Sequence, residues 1–104
     1  MVDIEGSTLG IAHEIAEGRN RAHSKHGANS IESHAPMAGA WLPILIEEVG
    51  ELAHEMTYDA QIGAWGVQTK RLNAMRRELV DVSTVAVAWI ASIDRALEYI
   101  NRVP

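Results

Sequence analysis

Hydrophobic residues recur at helical spacing along most of the chain, and no stretch alternates like a half-buried strand. The clearest pattern runs from about Leu42 to Tyr58. Its apolar positions follow one another at steps of three and four: Leu42, Leu45, Val49, Leu52 and Met56. This spacing places side chains on one face of an α-helix. Pro43 lacks an amide hydrogen, so it suits the first turn of this predicted helix.

The longest pattern is predicted to begin near Thr69 or Lys70 and to extend to about Ile100. Its apolar stripe keeps the same spacing throughout: Leu72, Met75, Leu79, Val82, Ala86, Trp89, Ile93 and Leu97. About thirty residues is long for a helix in a globular protein. A break between Ser92 and Asp94 is therefore an alternative to one continuous helix.

The first predicted helix, from about Leu9 to Lys25, has the thinnest apolar stripe, and Ser7 or Thr8 is its expected N-cap. Loops are predicted from His26 to Pro36 and from Asp59 to Gln68, where glycine and polar residues gather. Short connections between amphipathic helices favour an antiparallel bundle. We therefore expect an all-α fold of three to four helices in a single domain spanning all 104 residues.

Composition narrows the class of protein. The chain is 47% hydrophobic and 22% charged, which is typical of a folded domain, and it has no cysteine for disulfides or thiolate metal sites. No apolar run approaches the ~20 residues of a membrane span, and the first residues do not resemble a secretory signal. The net charge of -5 offers no basic face for duplex nucleic acid. These features predict a cytoplasmic protein without membrane or duplex partners.

Two acidic motifs lie on the two strongest predicted helices: Glu47-Glu48-Val49-Gly50-Glu51 and Glu78-Leu79-Val80-Asp81. Residues three apart on a helix project from nearly the same face. Each pair, Glu48 with Glu51 and Glu78 with Asp81, stands one position before residues of its apolar stripe. If the stripes pack together, both pairs reach one groove at the edge of the core.

Carboxylates crowded into such a groove repel one another and lose hydration unless cations neutralise them. Hard oxygen ligands suit Mg²⁺, with Mn²⁺ as a possible substitute. These ions also bind substrate phosphates, which indicates phosphate-ester or phosphoanhydride chemistry. The plain alternative is that the acids form a solvated helix face.

The order EEVGE, then 26 residues, then ELVD resembles the EExxE…ExxD signature of the MazG-like all-α nucleotide pyrophosphohydrolases. LPILIEEVGELAHEM and RRELVDVSTVAVAWI are also similar to a short actinobacterial and phage branch of that superfamily. The resemblance implies hydrolysis of a nucleoside or deoxynucleoside triphosphate to monophosphate and pyrophosphate, as in house-cleaning of the nucleotide pool. It implies four metal ligands: Glu48, Glu51, Glu78 and Asp81. Glu47 would be a further ligand or the base that orients water.

The chain departs from that signature at one position, because the family often has glycine before the motif aspartate and this chain has Val80. Candidate substrate contacts lie outside the motifs. Lys25, Arg76 and Arg77 can bind triphosphate oxygens, and Trp41 can stack on a base. The competing roles are solvated surface for the three cations and core packing for the tryptophan.

Two other classes of protein stay open from the sequence. Glu51-Leu52-Ala53-His54 is an ExxH element of the kind used by ferritin-like di-iron bundles, although the second motif has Asp81 where such bundles need histidine. A non-catalytic helical interaction module is the other alternative. Oligomerisation is expected, because three amphipathic helices cannot cover all their apolar faces alone, and the resemblance implies a homodimer or homotetramer. MazG-like relatives also assemble as dimers or tetramers.

Overall fold

The computed structural model describes residues 2–57 and 65–103, which contain α-helix and short 3-10 turns but no strand. This confirms the all-α class for that part of the chain. The helices are α1 (Ile4–His26), α2 (Trp41–Thr57) and α3 (Trp65–Arg102). The segment between α1 and α2 contains two 3-10 turns, Gly27–Asn29 and Ile31–Ser33.

Helix α1 begins earlier than predicted because Asp3 is its N-cap. The Asp3 carboxylate accepts a hydrogen bond from the Gly6 amide at 3.0 Å, and aspartate caps helices as well as serine does. The Ser7 and Thr8 hydroxyls instead donate back to the Ile4 carbonyl. Hydroxyl side chains commonly make this bond inside a helix, so the expected N-cap residues lie in the first turns of α1.

The bounds of α2 and α3 agree with the sequence pattern in part. Pro43 lies in the first turn of α2, as predicted. Helix α3 runs unbroken for 38 residues, so the alternative break near Ser92 is wrong; the Ser92 hydroxyl donates to the segment before α2 instead of interrupting the helix. Of the second predicted loop, Trp65–Gln68 belongs to α3, and residues 58–64 lie outside the described residues.

Helices α2 and α3 are antiparallel. Near the start of α2, the Trp41 ring stacks on Trp89, with ring centroids 5.8 Å apart and planes 3° from parallel. Further along α2, the Glu48 carboxylate meets Glu78, which lies earlier on α3. The pairing therefore runs in opposite directions along the two helices.

Helix α1 packs on one side of the α2–α3 layer and runs in the same direction as α3. Glu14 forms an exposed ion pair with Arg76, and Gly18, later on α1, lies against Thr84, later on α3. The three helices thus follow one another up, down and up. Within the described residues, none of them is long and apolar enough to cross a membrane.

The buried core is small and lies around the start of α2. Among the residues whose burial is described, the cluster consists of Trp41, Val85 and Ala88, and Ile15 of α1 is also buried. Partly buried hydrophobic residues pack around it: Ile31, Ala38, Ile44, Leu45 and Trp89. Trp41 is completely buried, so it is the largest single contributor to this core.

Polar contacts fasten the segment between α1 and α2 to all three helices. The Trp41 and Trp89 indole nitrogens donate to the Ala35 and Pro36 carbonyls at 2.8 and 2.9 Å. On the α1 side, Arg19 binds both carboxylate oxygens of Glu32, at 2.6 and 2.8 Å. This half-buried, bidentate pair fixes the segment beside the core.

The predicted apolar stripes pack together only in part: Leu45 of α2 and Trp89 of α3 both pack against the core, whereas other members of each stripe are exposed. On α2, Leu42, Ile46, Val49 and Met56 are between 47% and 61% exposed. On α3, the exposed fractions run from 39% to 63% along a second row: Leu72, Leu79, Ile90, Ile93, Leu97 and Ile100. We call these two rows the outer apolar face.

The inward-facing row of α2 contains two residues of the predicted stripe, Leu45 and Leu52, together with residues outside it. The less exposed residues of α2 are Trp41, Ile44, Leu45, Glu48, Leu52 and Glu55. These positions are rotated by about 100° from the exposed row, because successive residues turn by that angle in an α-helix. The row that carries Glu48 therefore lies inside, beside α3, rather than at the edge of the core.

Candidate metal centre

Three carboxylates from α2 and α3 meet; Glu48 and Glu78 are partly buried, and Asp81 is exposed. One oxygen atom each of Glu48, Glu78 and Asp81 lies within 4.8 Å of the other two. Glu78 and Asp81 are three residues apart on α3, so their side chains project in nearly the same direction. The structure thus brings together three of the four ligands that the motif implies, and we call them the acidic trio.

The remaining motif acids lie beside the trio on exposed positions of α2. Glu51 is close enough that its charge raises the pKa values of Glu48, Glu78 and Asp81. Glu47, four residues before Glu51, also adds to the rise at Glu48. Both side chains are exposed, which leaves them accessible to a ligand at the trio.

Burial and mutual repulsion make the trio hard to ionise. Burial, and then the charges of the neighbouring carboxylates, raise the pKa of Glu48 to about 7. The pKa of Glu78 is also raised, first by burial and then by the charge of Glu51 and a hydrogen bond with it. An opposite charge placed among these groups would favour their ionised forms.

Asp81 differs from the glutamates because cations face it. Its pKa is raised, by burial first and then by the charge of Glu51, while the charges of Arg77 and Arg21 act in the opposite direction. Arg77 lies on α3 itself and Arg21 on α1. The trio is therefore bordered by positive charge on the side of α1 and α3.

Two oxygens of the trio are buried without any hydrogen-bond donor: Oε2 of Glu48 and Oε2 of Glu78. Buried acceptors are rarely left unpaired, because each then loses its hydration without compensation. Both belong to carboxylates, and carboxylate oxygens are the ligands that hard divalent cations prefer. The residues present therefore fit Mg²⁺ or Mn²⁺. Among the described residues this ligand group contains carboxylates alone, so it lacks the histidine of a di-iron ExxH pair.

A cleft of about 480 Å³ opens beside the trio, between α1, the 3-10 segment and the α2–α3 layer. Glu48 and Asp81 form part of its wall. Other polar side chains line it: Arg21, His26, Asn29, Ser30 and Thr84. Small-molecule sites commonly have volumes of about 300–1,000 Å³. The cleft can therefore hold a ligand that also reaches the carboxylates.

Arg21 is a candidate site residue that the sequence pattern did not single out. It lies on α1, whose apolar stripe is thin, and no acidic motif stands next to it. The available signal was its spacing from Gly18 and Ala22, which line the same cleft. That signal has meaning only once the packing of α1 on α3 is known.

The predicted substrate contacts are scattered. Trp41 is buried and stacked on Trp89, so neither face of its ring is open to a base. Arg76 pairs with Glu14, and Lys25 is exposed in the last turn of α1. The charge of Arg77 acts on the trio, because it opposes the rise in the pKa of Asp81.

Comparison with protein-family models, with curated proteins and with solved structures finds no match to this chain. The likeness to the MazG-like enzymes therefore rests on the two acidic motifs and their apolar context.

Proposed function

We propose that the protein is a Mg²⁺-dependent nucleotide pyrophosphohydrolase that converts a nucleoside or deoxynucleoside triphosphate to the monophosphate and pyrophosphate. The observation that carries this proposal is the convergence of Glu48, Glu78 and Asp81 within 4.8 Å. The trio comes from two motifs whose spacing resembles the MazG-like signature. Removal of aberrant nucleotides from the cellular pool would be a use of this activity.

The acidic trio, with Glu51 beside it, would hold the cation. When bound, such an ion neutralises phosphate charge and lowers the pKa of a coordinated water. The unpaired oxygens of Glu48 and Glu78 support this assignment, because they are acceptors without donors. Glu47 is exposed one helical turn from Glu51 on α2, where a carboxylate can accept a proton from attacking water.

The cleft would hold the nucleotide. Arg21 lines it and acts electrostatically on Asp81, so its guanidinium lies where phosphate oxygens would approach the trio. Guanidinium groups bind phosphate oxygens through paired hydrogen bonds. At the other polar positions, Asn29 and Ser30 offer donors and acceptors for the rest of the nucleotide.

The direct test is a panel of canonical and modified nucleotides incubated with Mg²⁺, with the products separated and identified. We expect pyrophosphate and a nucleoside monophosphate from at least one substrate, and loss of both in Glu51→Gln and Asp81→Asn. Asp94→Asn is the matched control, because Asp94 is an exposed carboxylate elsewhere on α3. Folded protein that releases no pyrophosphate from any nucleotide would contradict the proposal.

A further inference from the structure

A second cleft lies on the other side of α1 from the acidic trio. It has a volume of about 440 Å³, and six described residues line it: Ala16, Arg19, Asn20, His23, Glu32 and Arg95. Those on α1 recur at steps of three and four, so they share one face of the helix. Gly18, Arg21 and Ala22 of α1 line the first cleft. Because successive residues of a helix turn by about 100°, the two sets point to nearly opposite sides of α1.

The second cleft differs from the first in the sign of its charge. The wall of the first includes the carboxylates Glu48 and Asp81. Of the six described residues around the second, Glu32 alone is acidic, whereas two are arginines and the histidine can also become cationic. This local excess of positive charge occurs in a chain whose net charge is -5. It suits the second cleft to an anion.

The one carboxylate of the second cleft is already paired. Nε and Nη2 of Arg19 donate to the two carboxylate oxygens of Glu32, at 2.6 and 2.8 Å. A guanidinium has further N–H groups beyond these two, so Arg19 can also donate to a ligand. The pKa of Glu32 is lowered, first by the hydrogen bond from Arg19, against the effect of burial, and then by the charges of Arg19, Arg95 and His23. Three positive groups therefore surround one neutralised carboxylate.

Arg95 and His23 are held in place by neutral partners. Nη2 of Arg95 donates to the backbone carbonyl of Glu32 at 3.2 Å, and a carbonyl does not cancel the charge of the guanidinium. Nδ1 of His23 is hydrogen-bonded to the hydroxyl of the buried Ser30 at 2.8 Å, which leaves Nε2 as the ring nitrogen that can meet a ligand. Groups that are fixed before binding lose less conformational freedom when a ligand arrives.

We propose that the second cleft binds a small phosphate-bearing anion, with Arg95 and Arg19 as its main charged contacts and Asn20 and His23 as further donors. Guanidinium groups bind phosphate oxygens through paired hydrogen bonds. Donors that converge from α1 and α3 suit the tetrahedral oxygens of a phosphate better than the two coplanar oxygens of a carboxylate. The volume lies within the range of about 300–1,000 Å³ of small-molecule sites. The proposal requires neither metal nor hydrolysis, so it does not rest on the proposed function.

Isothermal titration calorimetry of the full chain with inorganic pyrophosphate, in metal-free and phosphate-free buffer of low ionic strength, tests the proposal. Without divalent cations the carboxylates of the trio repel anions, so binding in the first cleft is not expected. We expect saturable binding to the wild type and roughly 10-fold weaker binding to Arg95→Gln, which loses a hydrogen bond to a charged group. Arg102→Gln is the matched control, because it removes the same charge from an exposed arginine of α3 that pairs with Glu98. Its affinity should equal that of the wild type.

Titrations with orthophosphate, a nucleoside monophosphate and acetate identify the class of anion. Equal affinities for the two phosphate compounds would show that phosphate alone is recognised. Tighter binding of the nucleotide would show that the cleft also contacts the nucleoside, and either result supports a phosphate site. Acetate should bind more weakly than both, and acetate binding as tight as that of orthophosphate would overturn the assignment to phosphate.

Amide chemical shifts of the wild type, followed by NMR during the pyrophosphate titration, locate the anion without any substitution. We expect the largest changes at Asn20, His23 and Arg95, and this readout still decides if circular dichroism shows that Arg95→Gln is unfolded. Absence of saturable binding, or equal weakening in Arg95→Gln and Arg102→Gln, would overturn the proposal. Shift changes centred on the first cleft, around Arg21, would do the same.

Discussion

The two ends of the α2–α3 interface differ in whether their buried polar groups are hydrogen-bonded. Near the start of α2, the Trp41 and Trp89 indoles and the Ser92 hydroxyl each donate to a backbone carbonyl at 2.8–2.9 Å. Further along α2, Glu48 and Glu78 each keep a buried oxygen without a donor. At the first end the polar groups are paired, whereas at the second the unpaired carboxylates lower stability and an added positive charge would raise it.

This difference separates a stabilising region from a ligand site. Satisfied polar groups around a buried tryptophan favour one packing arrangement. Half-buried carboxylates with raised pKa values lower stability at neutral pH, and such groups gather at functional sites. Substitutions at the two ends are therefore expected to change stability with opposite sign.

The largest effect on stability is expected at the end of the interface where the polar groups are hydrogen-bonded. Trp41→Ala removes the centre of the core and a hydrogen bond, and large-to-small changes at buried aromatic positions cost about 3–5 kcal/mol. Urea unfolding followed by circular dichroism measures the loss. Leu9→Ala, at an exposed position of α1, is the control and should change little. Equal unfolding midpoints for Trp41→Ala and wild type would show that this core does not stabilise the fold.

The next effect is expected at the acidic trio. Glu48→Gln should lower kcat/KM by about 100-fold or more, since changing even outer-shell groups of a metal site costs about 10–100-fold. The same change should raise metal-free stability by about 1 kcal/mol or more, because the amide adds a donor and removes a buried charge. Nucleotide turnover and metal-free thermal melts measure the two effects. A Glu48→Gln variant that is less stable than wild type and still active would show that the trio stabilises the fold and is not a ligand site.

A smaller effect is expected for the arginine that borders the trio. Arg21→Gln should weaken kcat/KM roughly 10-fold, the lower end for losing a hydrogen bond to a charged group. Arg76→Gln is the matched control, because Arg76 is an exposed guanidinium paired with Glu14. If the two variants lose activity equally, Arg21 has no special place at the substrate.

The smallest effect is a change of stability with pH in the absence of divalent ions. The folded-state pKa of Glu48 is raised to about 7, so between the ordinary glutamate pKa and 7 the folded protein binds more protons than the unfolded chain. Stability should therefore fall as pH rises through this window. The pKa values of Glu14 and Glu32 are lowered, so these two groups affect stability only at pH values below this window.

Thermal melts at mildly acidic and neutral pH check this dependence. Mg²⁺ should remove it by stabilising the ionised carboxylates, and Glu48→Gln should flatten it without metal. A wild-type melting temperature that rises from mildly acidic to neutral pH without metal would contradict the assignment of the raised pKa to the folded trio.

The sequence predicted the helices and the pairing of the acids better than it predicted which faces are buried. Apolar spacing identifies Val49 and Leu79 as parts of helical stripes, and the motif spacing identifies Glu48 and Glu78 as neighbours of those stripes. Periodicity does not say which partner covers a stripe. In the single chain Glu48 and Glu78 are partly buried, and only part of each stripe faces outward. Leu45 and Trp89 pack against the core, and Trp41 and Ile44 share the inward-facing row with Glu48.

Arg21 illustrates the same limit of a one-dimensional pattern. Its role depends on where α1 lies relative to Asp81, and that position is set by contacts distant in sequence, such as Gly18 with Thr84. The start of α1 depends on residues that are close in sequence. Asp3 is as good an N-cap as the predicted Ser7 or Thr8, and the hydrogen bond from the Gly6 amide identifies Asp3 as the cap.

Direct Mn²⁺ binding, followed by electron paramagnetic resonance, tests the acidic trio without requiring the right nucleotide. We expect saturable binding to the wild type, competition by Mg²⁺, and loss of binding in the Glu48→Gln/Glu78→Gln double variant, with Asp94→Asn behaving as wild type. Wild-type protein that binds no Mn²⁺, or a double variant that binds it equally well, would contradict a metal centre at Glu48, Glu78 and Asp81.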